Sequence, residues 1–262
     1  EGKGTDVDAA SLTDVDWDII DSPIRINPPG DYLSITGDVS IDPGVVVQVE
    51  NGKGISIDGS CSNVAIEGNS SDHVRFEGQG GQTWKGMAFT AGCSSGTDDR
   101  HTMEFVDFAN TSDAAISAGS RHGSSPSTNS NVGNFTMSDV TFSNVGSAIS
   151  HGSGDGTAFD MTNVEVDDAS GSCFDFPTDA VVTMSEVELD GCNTGGSSTG
   201  GAVVNDGGSS AGSLSMTNVT VTDSYVNLVS TDLDEVTIDN LQASHSATQS
   251  GSALSVAGTT LS

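Results

Sequence analysis

Four carboxylates recur at matching positions of two successive sequence segments and are the best-defined candidate for chemistry. Glu165 and Asp167 lie in FDMTNVEVDDAS, and Glu188 and Asp190 lie in VTMSEVELDGC. Both pairs alternate with apolar residues, so in a strand all four side chains would point outward. If the two segments are stacked parallel strands, like positions are about 4.8 Å apart. We therefore expect four mutually repelling carboxylates on one outer surface.

Three outcomes would relieve this repulsion. A Ca²⁺ ion could bridge the side chains, since hard cations take clustered carboxylate oxygens. One carboxyl group could keep its proton and act as an acid beside a base, which is the arrangement of glycosidases. Salt could simply screen the charges, and this is the outcome that we expect. Ca²⁺ is the one cofactor that the sequence suggests.

Other polar clusters give weaker signals. The aspartates of DVDWD (14–18) also invite a calcium interpretation, but the segment lacks the glycine and terminal glutamate of an EF-hand loop. Arg100, Arg121 and His122 lie in or beside loops and could make a small site. The segment HGSGDG (151–156) has only a vague similarity to hydrolase motifs, because no accompanying aspartate pair or basic motif is found. Surface histidine on a loop is the favoured interpretation.

A short sequence phrase that recurs six times must position these residues. Successive copies are 34, 24, 23, 32 and 22 residues apart, which gives a base period of 22–24 with two insertions of about ten residues. A period in this range predicts a solenoid, in which each repeat stacks on the next. The anchor residues of the six copies are Met103, Met137, Met161, Met184, Met216 and Ile238.

Fixed columns of residues follow each anchor. The third and fifth positions after the anchor are apolar in every copy, and with the anchor they are predicted to point inward. The three-residue step between the anchor and the first of these columns breaks strand alternation and predicts a bend. The seventh position holds Asn110, Asn144, Asp168, Gly191, Asp223 and His245. These residue types tolerate the left-handed backbone region, so a sharp turn is predicted there.

A second short apolar strand follows each turn, as at Ile116 and Ile149. The insertions, 119–134 and 193–201, are predicted to be polar loops that leave the stack. Strand, bend, strand, turn and strand within 22–24 residues describe one rung of a parallel β-helix. An antiparallel sandwich fits less well, because its strands would not return in a fixed column order.

The chain resembles the right-handed parallel β-helix, the pectate-lyase-like superfold, from about residue 24 onward. Its turn column resembles the asparagine-rich turn of such helices. The segments 37–59 (GDVSIDPGVVVQVENGKGISIDG) and 74–89 (VRFEGQGGQTWKGMAF) are similar to β-helix regions of secreted surface and adhesin-like proteins. We therefore expect an all-β, single-stranded parallel β-helix over 24–262, with 1–23 as an N-terminal cap or a leading rung. The chain could be a segment of a longer protein.

The resemblance implies an architecture more than an activity. Lyases of this superfold need Arg or Lys beside an acidic substrate, but no Lys or Arg follows Arg121. The sequence therefore favours a non-catalytic extracellular segment of a secreted or cell-surface protein, with a structural, adhesive or glycan-facing role. The competing hypothesis is a carbohydrate-active enzyme, a polysaccharide hydrolase or lyase that uses carboxylates on the coil surface. Partners would be glycans or other surface proteins, and end-to-end stacking could give self-association.

The charge balance narrows the partners and the setting. The 262 residues include 37 acidic and 7 basic side chains, for a formal net charge of −30. Nucleic acid and anionic membranes are poor partners for such a surface, because binding them depends on cations. No 18-residue apolar run occurs, so a membrane-spanning helix is not expected in this segment. Salt or divalent cations would quench the charge, which predicts a marine or saline extracellular setting; acidity that serves solubility alone is the alternative.

Cysteines and sequons are compatible with the same setting. Four cysteines occur and none forms CxxC, which argues for disulfides over zinc. Sequence order favours Cys61–Cys93 and Cys173–Cys192, although three connectivities are possible and free buried thiols are the alternative. Four N-x-S/T triplets are candidate glycosylation sites, and chance is the alternative in a sequence so rich in Ser, Thr and Asn. Their asparagines are Asn69, Asn110, Asn134 and Asn218.

Overall fold

A computed structural model describes residues 4–58, 62–90, 100–119, 132–151, 157–176, 179–195, 201–205, 212–224, 227–231, 235–245, 254–256 and 260–261. These residues form an all-β structure of parallel strands, with two short 3₁₀ helices at Ile19–Asp21 and Gln79–Gly81. Among them no helix has the length and apolar character needed to cross a membrane.

The strands form two parallel sheets, and their bounds follow in chain order. Strands at the start of the chain are β1 (Thr5–Val7), β2 (Ser11–Leu12), β3 (Val15–Trp17), β4 (Ile24–Ile26), β5 (Tyr32–Ile35), β6 (Val39–Ile41), β7 (Val46–Val49), β8 (Gly54–Ile57), β9 (Val64–Glu67), β10 (Val74–Gly78) and β11 (Met87–Phe89). Later strands are β12 (Arg100–Ala109), β13 (Ala114–Ala118), β14 (Asn134–Val145), β15 (Ser147–His151), β16 (Ala158–Ala169), β17 (Phe174–Phe176), β18 (Val181–Asp190), β19 (Gly201–Asn205), β20 (Ser213–Ser224), β21 (Asn227–Thr231), β22 (Glu235–His245), β23 (Leu254–Val256) and β24 (Thr260–Leu261).

The chain alternates between the two sheets. From β12 onward, each even-numbered strand joins the larger, 14-stranded sheet and each odd-numbered strand joins the 10-stranded sheet. Among the described strands, each of those from β12 to β22 pairs in parallel with its counterpart in the next repeat, as β12 with β14 and β13 with β15. Because the two partners of each pair hold the same columns, identical residues lie over one another: Met103 pairs with Met137, and Met137 with Met161.

Earlier repeats divide the long strand in two. The first half of β12 pairs with β9, and the second half pairs with β10. In that earlier repeat, residues 68–73 connect the two short strands, whereas in β12 the single residue Phe105 does so. Strands near the start of the chain enter the same sheets, since β1, β2 and β3 pair in parallel with β4, β5 and β6.

The predicted inward columns form a continuous narrow core. Five anchor methionines are at most 1 % exposed, as are the valines three positions after them. Aromatic rings also stack from repeat to repeat, with centroids 5.0 Å apart for Phe76 and Phe108 and 5.3 Å apart for Phe108 and Phe142. Fully burying such a side chain contributes about 1.5–3 kcal/mol, so this core stabilises each repeat through its neighbours.

The predicted turns and second strands are largely confirmed. Five of the six residues seven positions after the anchor adopt a positive φ: Asn110, Asn144, Asp168, Gly191 and Asp223. The prediction for His245 was wrong, because that residue pairs with Ser224 across a register shift and continues β22. The short apolar segments after the turns form the odd-numbered strands from β13 to β23, which belong to the 10-stranded sheet. Most of the two insertions lies outside the described residues.

Candidate functional site

The four carboxylates singled out in the sequence lie where the columns predict. Glu165 pairs with Glu188, and Asp167 pairs with Asp190, on the adjacent strands β16 and β18. All four side chains are exposed. Thr222 donates a hydrogen bond from Oγ1 to Asp190 Oδ1 at 2.6 Å. Outward stacking of the four carboxylates is thus observed.

The metal hypothesis gains no geometric support. Within the described ranges, no group of three or more His, Cys, Asp or Glu side chains is placed to hold a metal ion. Two of the three aspartates of DVDWD bond to backbone amides: Asp14 Oδ1 accepts from the amide of Asp38 at 3.1 Å, and Asp18 Oδ1 accepts from the amide of Ile20 at 2.7 Å. Calcium binding therefore stays a prediction.

One predicted disulfide is present. Cys173 and Cys192 are bonded, with Cα atoms 5.3 Å apart, and both are fully buried. They lie after β16 and after β18, so the bond joins two neighbouring repeats beside the predicted turn column. Cys61 and Cys93 lie outside the described residues.

The four sequon asparagines differ in surroundings. Asn69 Oδ1 accepts hydrogen bonds from the amides of Ser71 and Asp72 in a tight turn. Asn110 and Asn218 have positive φ and bond to side chains of adjacent repeats. Asn134 is exposed at the start of β14. Glycosylation at these positions stays a prediction.

A second column of left-handed residues marks the predicted bend inside each long strand. It lies two positions after each anchor and is called the bend column here. All six members have φ between 50° and 58°. They are Phe105, Asp139, Asn163, Glu186, Asn218 and Asn240.

Side chains of the bend column bond to one another along the stack. Asn163 Nδ2 donates to Asp139 Oδ1, Asn218 Nδ2 donates to Glu186 Oε1 at 2.7 Å, and Asn240 Nδ2 donates to Asn218 Oδ1 at 2.7 Å. These ladders satisfy the amide groups and hold neighbouring bends in register. Asparagine also tolerates the left-handed region better than most residues, which explains its frequency here.

Two open depressions that share Asn163 lie along the stack, between the bend column and the column four positions after each anchor. We call the two together the outer groove. One depression of about 250 Å³ is lined by members of both columns from Asn163 to Gln242. A second, of about 170 Å³, shares Asn163 and extends the groove to Phe105 and His73. Its walls carry amide, hydroxyl and carboxylate groups, which are hydrogen-bonding partners for a polar ligand.

The end of the outer groove that contains Phe105 differs from the rest, and we call it the groove head. There the connection 68–73 adds Ser70 and His73 to the wall. The His73 ring lies 5.6 Å from the Phe105 ring, and Phe105 is half-buried. Gly68 lets the connection pass close to the backbone of Phe105, because a Cβ atom there would lie 2.3 Å from the carbonyl oxygen of Phe105.

A His–Asp–Thr cluster adjoins the groove head, but its geometry differs from that of an activated nucleophile. His73 Nδ1 lies 3.0 Å from Asp107 Oδ1, and Thr141 Oγ1 donates to the same oxygen at 2.6 Å. The hydroxyl group and the imidazole thus share one acceptor. A nucleophilic threonine would instead donate to the imidazole. The cluster therefore anchors His73 beside the groove and does not activate Thr141.

Two basic side chains near the outer groove or in the early repeats, Arg75 and Lys85, are paired with acids. Arg75 Nη2 lies 3.1 Å from Glu77 Oε2 in a depression that adjoins Thr141. Lys85 lies 3.1 Å from Asp31 and lowers the pKa of that carboxyl group. Neither of the two depressions of the outer groove has a Lys or Arg in its wall. The outer groove is accordingly an acidic surface.

Comparisons with protein-family models, with curated proteins and with solved structures give no match for this chain. Of the weaker sequence candidates, Arg121, His122 and residues 152–156 lie outside the described residues. His151 is half-buried at the end of β15.

Sequence reasoning missed the groove head. Phe105 was not separated from the inward phenylalanines, and His73 lies in a connection that belongs to no repeated column. A signal for Phe105 was available: the other five residues two positions after the anchors are Asp, Asn, Glu, Asn and Asn. An aromatic residue in that outward polar column is the exception that points to the site.

Proposed function

We propose that this chain is a non-catalytic extracellular segment of a secreted or cell-surface protein, and that its outer groove faces a polysaccharide. We further propose that its two parallel sheets are faces of a right-handed, pectate-lyase-like β-helix. Parallel pairing in fixed columns and the alternation of the chain between two sheets support that architecture. A rod of stacked repeats then presents the same chemical groups at regular intervals.

The observation that carries the functional proposal is the shape and lining of the outer groove. It is open, it runs over six repeats, and hydrogen-bonded ladders fix its bend column. Amide, hydroxyl and carboxylate groups recur along it at roughly 4.8 Å. A polymer of similar polar units, with many hydroxyl groups, matches such a lining better than a compact apolar molecule does.

The extracellular setting is supported by independent features. Disulfides persist mainly in oxidising compartments, and Cys173 and Cys192 form a disulfide. The net charge of −30 suits a saline exterior, where salt shortens the range of repulsion. Asn134 offers an exposed sequon for a glycan.

Binding and turnover should be measured together, on a panel of soluble neutral, amino-sugar and uronic polysaccharides with and without Ca²⁺. We expect at least one polysaccharide to bind and none to be cleaved. Thr220→Trp should block the groove and reduce binding at least tenfold, because Thr220 lines its wall. Thr183→Trp is the matched control, since Thr183 is an exposed outward threonine of β18 away from both depressions.

Two results would contradict the proposal. If Thr220→Trp and the unsubstituted chain bound the polysaccharide equally well, the outer groove would not be the binding site. Release of shortened products, abolished by Glu188→Gln, would favour the competing hypothesis of a carbohydrate-active enzyme.

A further inference from the structure

Phe105 is out of place in the bend column. Its counterparts in the other five repeats are polar, and it adopts φ of 50° although it is a bulky residue. Left-handed backbone is unfavourable for such a bulky residue. It also leaves part of an apolar ring exposed to solvent. Asparagine would satisfy the bend at lower cost, so the bend alone does not explain the ring.

The surroundings of Phe105 combine an aromatic face with carboxylates. Asp139 follows Phe105 in the bend column, one repeat along the stack, and Glu165 lines the same depression. His73 flanks the ring and is held by Asp107. An aromatic face attracts a cation through its quadrupole, and carboxylates form strong charge-assisted hydrogen bonds with ammonium groups. The groove head therefore combines an aromatic face and carboxylates, both of which recognise an organic ammonium group.

We propose that the groove head is a subsite for a protonated amino sugar, so that the polymer in the outer groove carries free amino groups. This inference rests on the proposed function and names its ligand class. The ammonium group would lie between the Phe105 ring and the carboxylates of Asp139 and Glu165. A uronic acid unit would be repelled by those carboxylates, and an N-acetylated unit would lose the charge.

The test is a calorimetric titration at physiological salt with three oligosaccharides of equal length. These are oligomers of glucosamine, N-acetylglucosamine and galacturonate. We expect the glucosamine oligomer to bind most tightly and the galacturonate oligomer not to bind. Phe105→Asn leaves the net charge unchanged, so general attraction between polycation and acidic protein persists. Loss of the aromatic face should still weaken glucosamine binding by about 3- to 30-fold.

The same variant separates a binding role from a structural one. Because Asn suits the bend, Phe105→Asn should keep or raise the melting temperature while it weakens binding. Ile20→Asn is the matched control, since Ile20 is an apolar side chain, 82 % exposed, on the 3₁₀ helix at Ile19–Asp21. It should leave binding unchanged. A melting temperature that falls sharply in Phe105→Asn, with unchanged binding, would overturn the inference.

Other outcomes distinguish this inference from the proposal on which it rests. If the acetylated and free oligomers bound equally well and Thr220→Trp abolished the binding of both, the amino-sugar inference would be overturned. The proposal of a glycan-binding groove would be retained. No binding of any oligosaccharide or panel polysaccharide would overturn both. Oligolysine serves as a further arm: if Phe105→Asn weakened its binding as much as that of the glucosamine oligomer, the ligand would be a basic peptide and the inference would fail.

Discussion

Asparagines of the bend column show how single residues set the shape of the long strands. Asn163 has φ of 54°, and its side-chain amide reaches Asp139 of the preceding repeat. The left-handed conformation needs a tolerant backbone, and the ladder needs an amide donor. Asparagine supplies both, whereas glycine supplies only the first.

Substitutions at Asn163 should separate these two contributions. Asn163→Gly loses the hydrogen bond alone, while Asn163→Ala also places a Cβ atom without a polar group in the left-handed region. We expect a loss in unfolding free energy of about 1 kcal/mol for the glycine variant and about 2 kcal/mol for the alanine variant. Urea unfolding measures both values. Equal losses would mean that the backbone conformation is not the constraint we describe.

His151 is a titratable residue placed against the core. Its ring meets Phe159 edge-on, with centroids 6.3 Å apart, and its Nδ1 atom is buried without a hydrogen-bond partner among the described residues. Burial lowers the pKa of His151 from 6.5 to about 4. The folded state therefore favours the neutral form of the His151 ring.

This pKa shift gives stability a defined pH dependence. The unfolded chain takes up the His151 proton near pH 6.5, but the folded chain does so only near pH 4. Stability is therefore lost as the pH falls through that window, by about 1–2 kcal/mol after allowance for partial exposure of the ring. His151→Phe should remove this part, so the melting temperature of the variant should rise relative to that of the unsubstituted chain as the pH falls from 7 to 4. A difference that stays constant from pH 7 to pH 4 would refute it.

At the scale of the elements, the disulfide Cys173–Cys192 ties two neighbouring repeats. It closes a loop with a sequence separation of 19 residues. A cross-link of this length restricts the unfolded chain and stabilises by about 3 kcal/mol. Replacing both cysteines by alanine should lower the unfolding free energy by about that amount while the far-ultraviolet dichroism stays that of a β protein. A loss below about 0.5 kcal/mol would show that this bond adds little to the neighbouring repeats.

Much of the element structure was predictable, because strand periodicity and burial constrain the same residues. The inward columns and the second strands followed from apolar residues at fixed offsets from each anchor. The sharp turn followed from a column limited to types that tolerate positive φ, with the exception of His245. The bend was predicted from the broken alternation before Val140 and its equivalents.

The backbone of the bend and the groove head were not predictable in the same way. Glutamate and phenylalanine rarely adopt positive φ, so residue type did not predict the left-handed conformation of Glu186 and Phe105. The ladders also depend on how side chains of successive repeats meet, which one repeat does not reveal. His73 reaches the groove only because residues 68–73 replace the single bend residue of later repeats. Neighbouring repeats differ there, and periodic reasoning fails where the repeat itself changes.

At the scale of the whole molecule, the dominant feature is unbalanced charge. Seven basic residues oppose 37 acidic ones, and all seven lie at or before Arg121. The exposed stack of Glu165, Asp167, Glu188 and Asp190 is one part of a surface that repels itself. Salt at 1 M shortens the Debye length to about 3 Å and should relieve this repulsion.

Salt and calcium should therefore act differently if screening is the relevant effect. We expect the melting temperature to rise by several degrees between about 10 mM and 1 M NaCl, because screening favours the compact state. Millimolar Ca²⁺ added at 1 M NaCl should then produce no further rise. A further rise that Glu188→Gln abolishes would contradict screening and would establish a calcium site on the four carboxylates.

The outer groove is also a property of the whole stack, since no single repeat contains it. From Phe105 to Asn240 it spans five intervals of about 4.8 Å, or roughly 24 Å. Each unit of a bound polymer would add contacts until the polymer outgrows this length. Affinity should then depend on oligomer length in a way that a compact pocket would not produce.

The most direct test of a linear binding groove is a length series of the oligosaccharide that binds best. Titration calorimetry with oligomers of increasing length gives the dissociation constant for each. We predict that affinity rises with length until the oligomer spans about 24 Å and then levels off, and that Thr220→Trp shortens the span over which it rises. Affinity that is already maximal for a single sugar unit would contradict a linear binding groove.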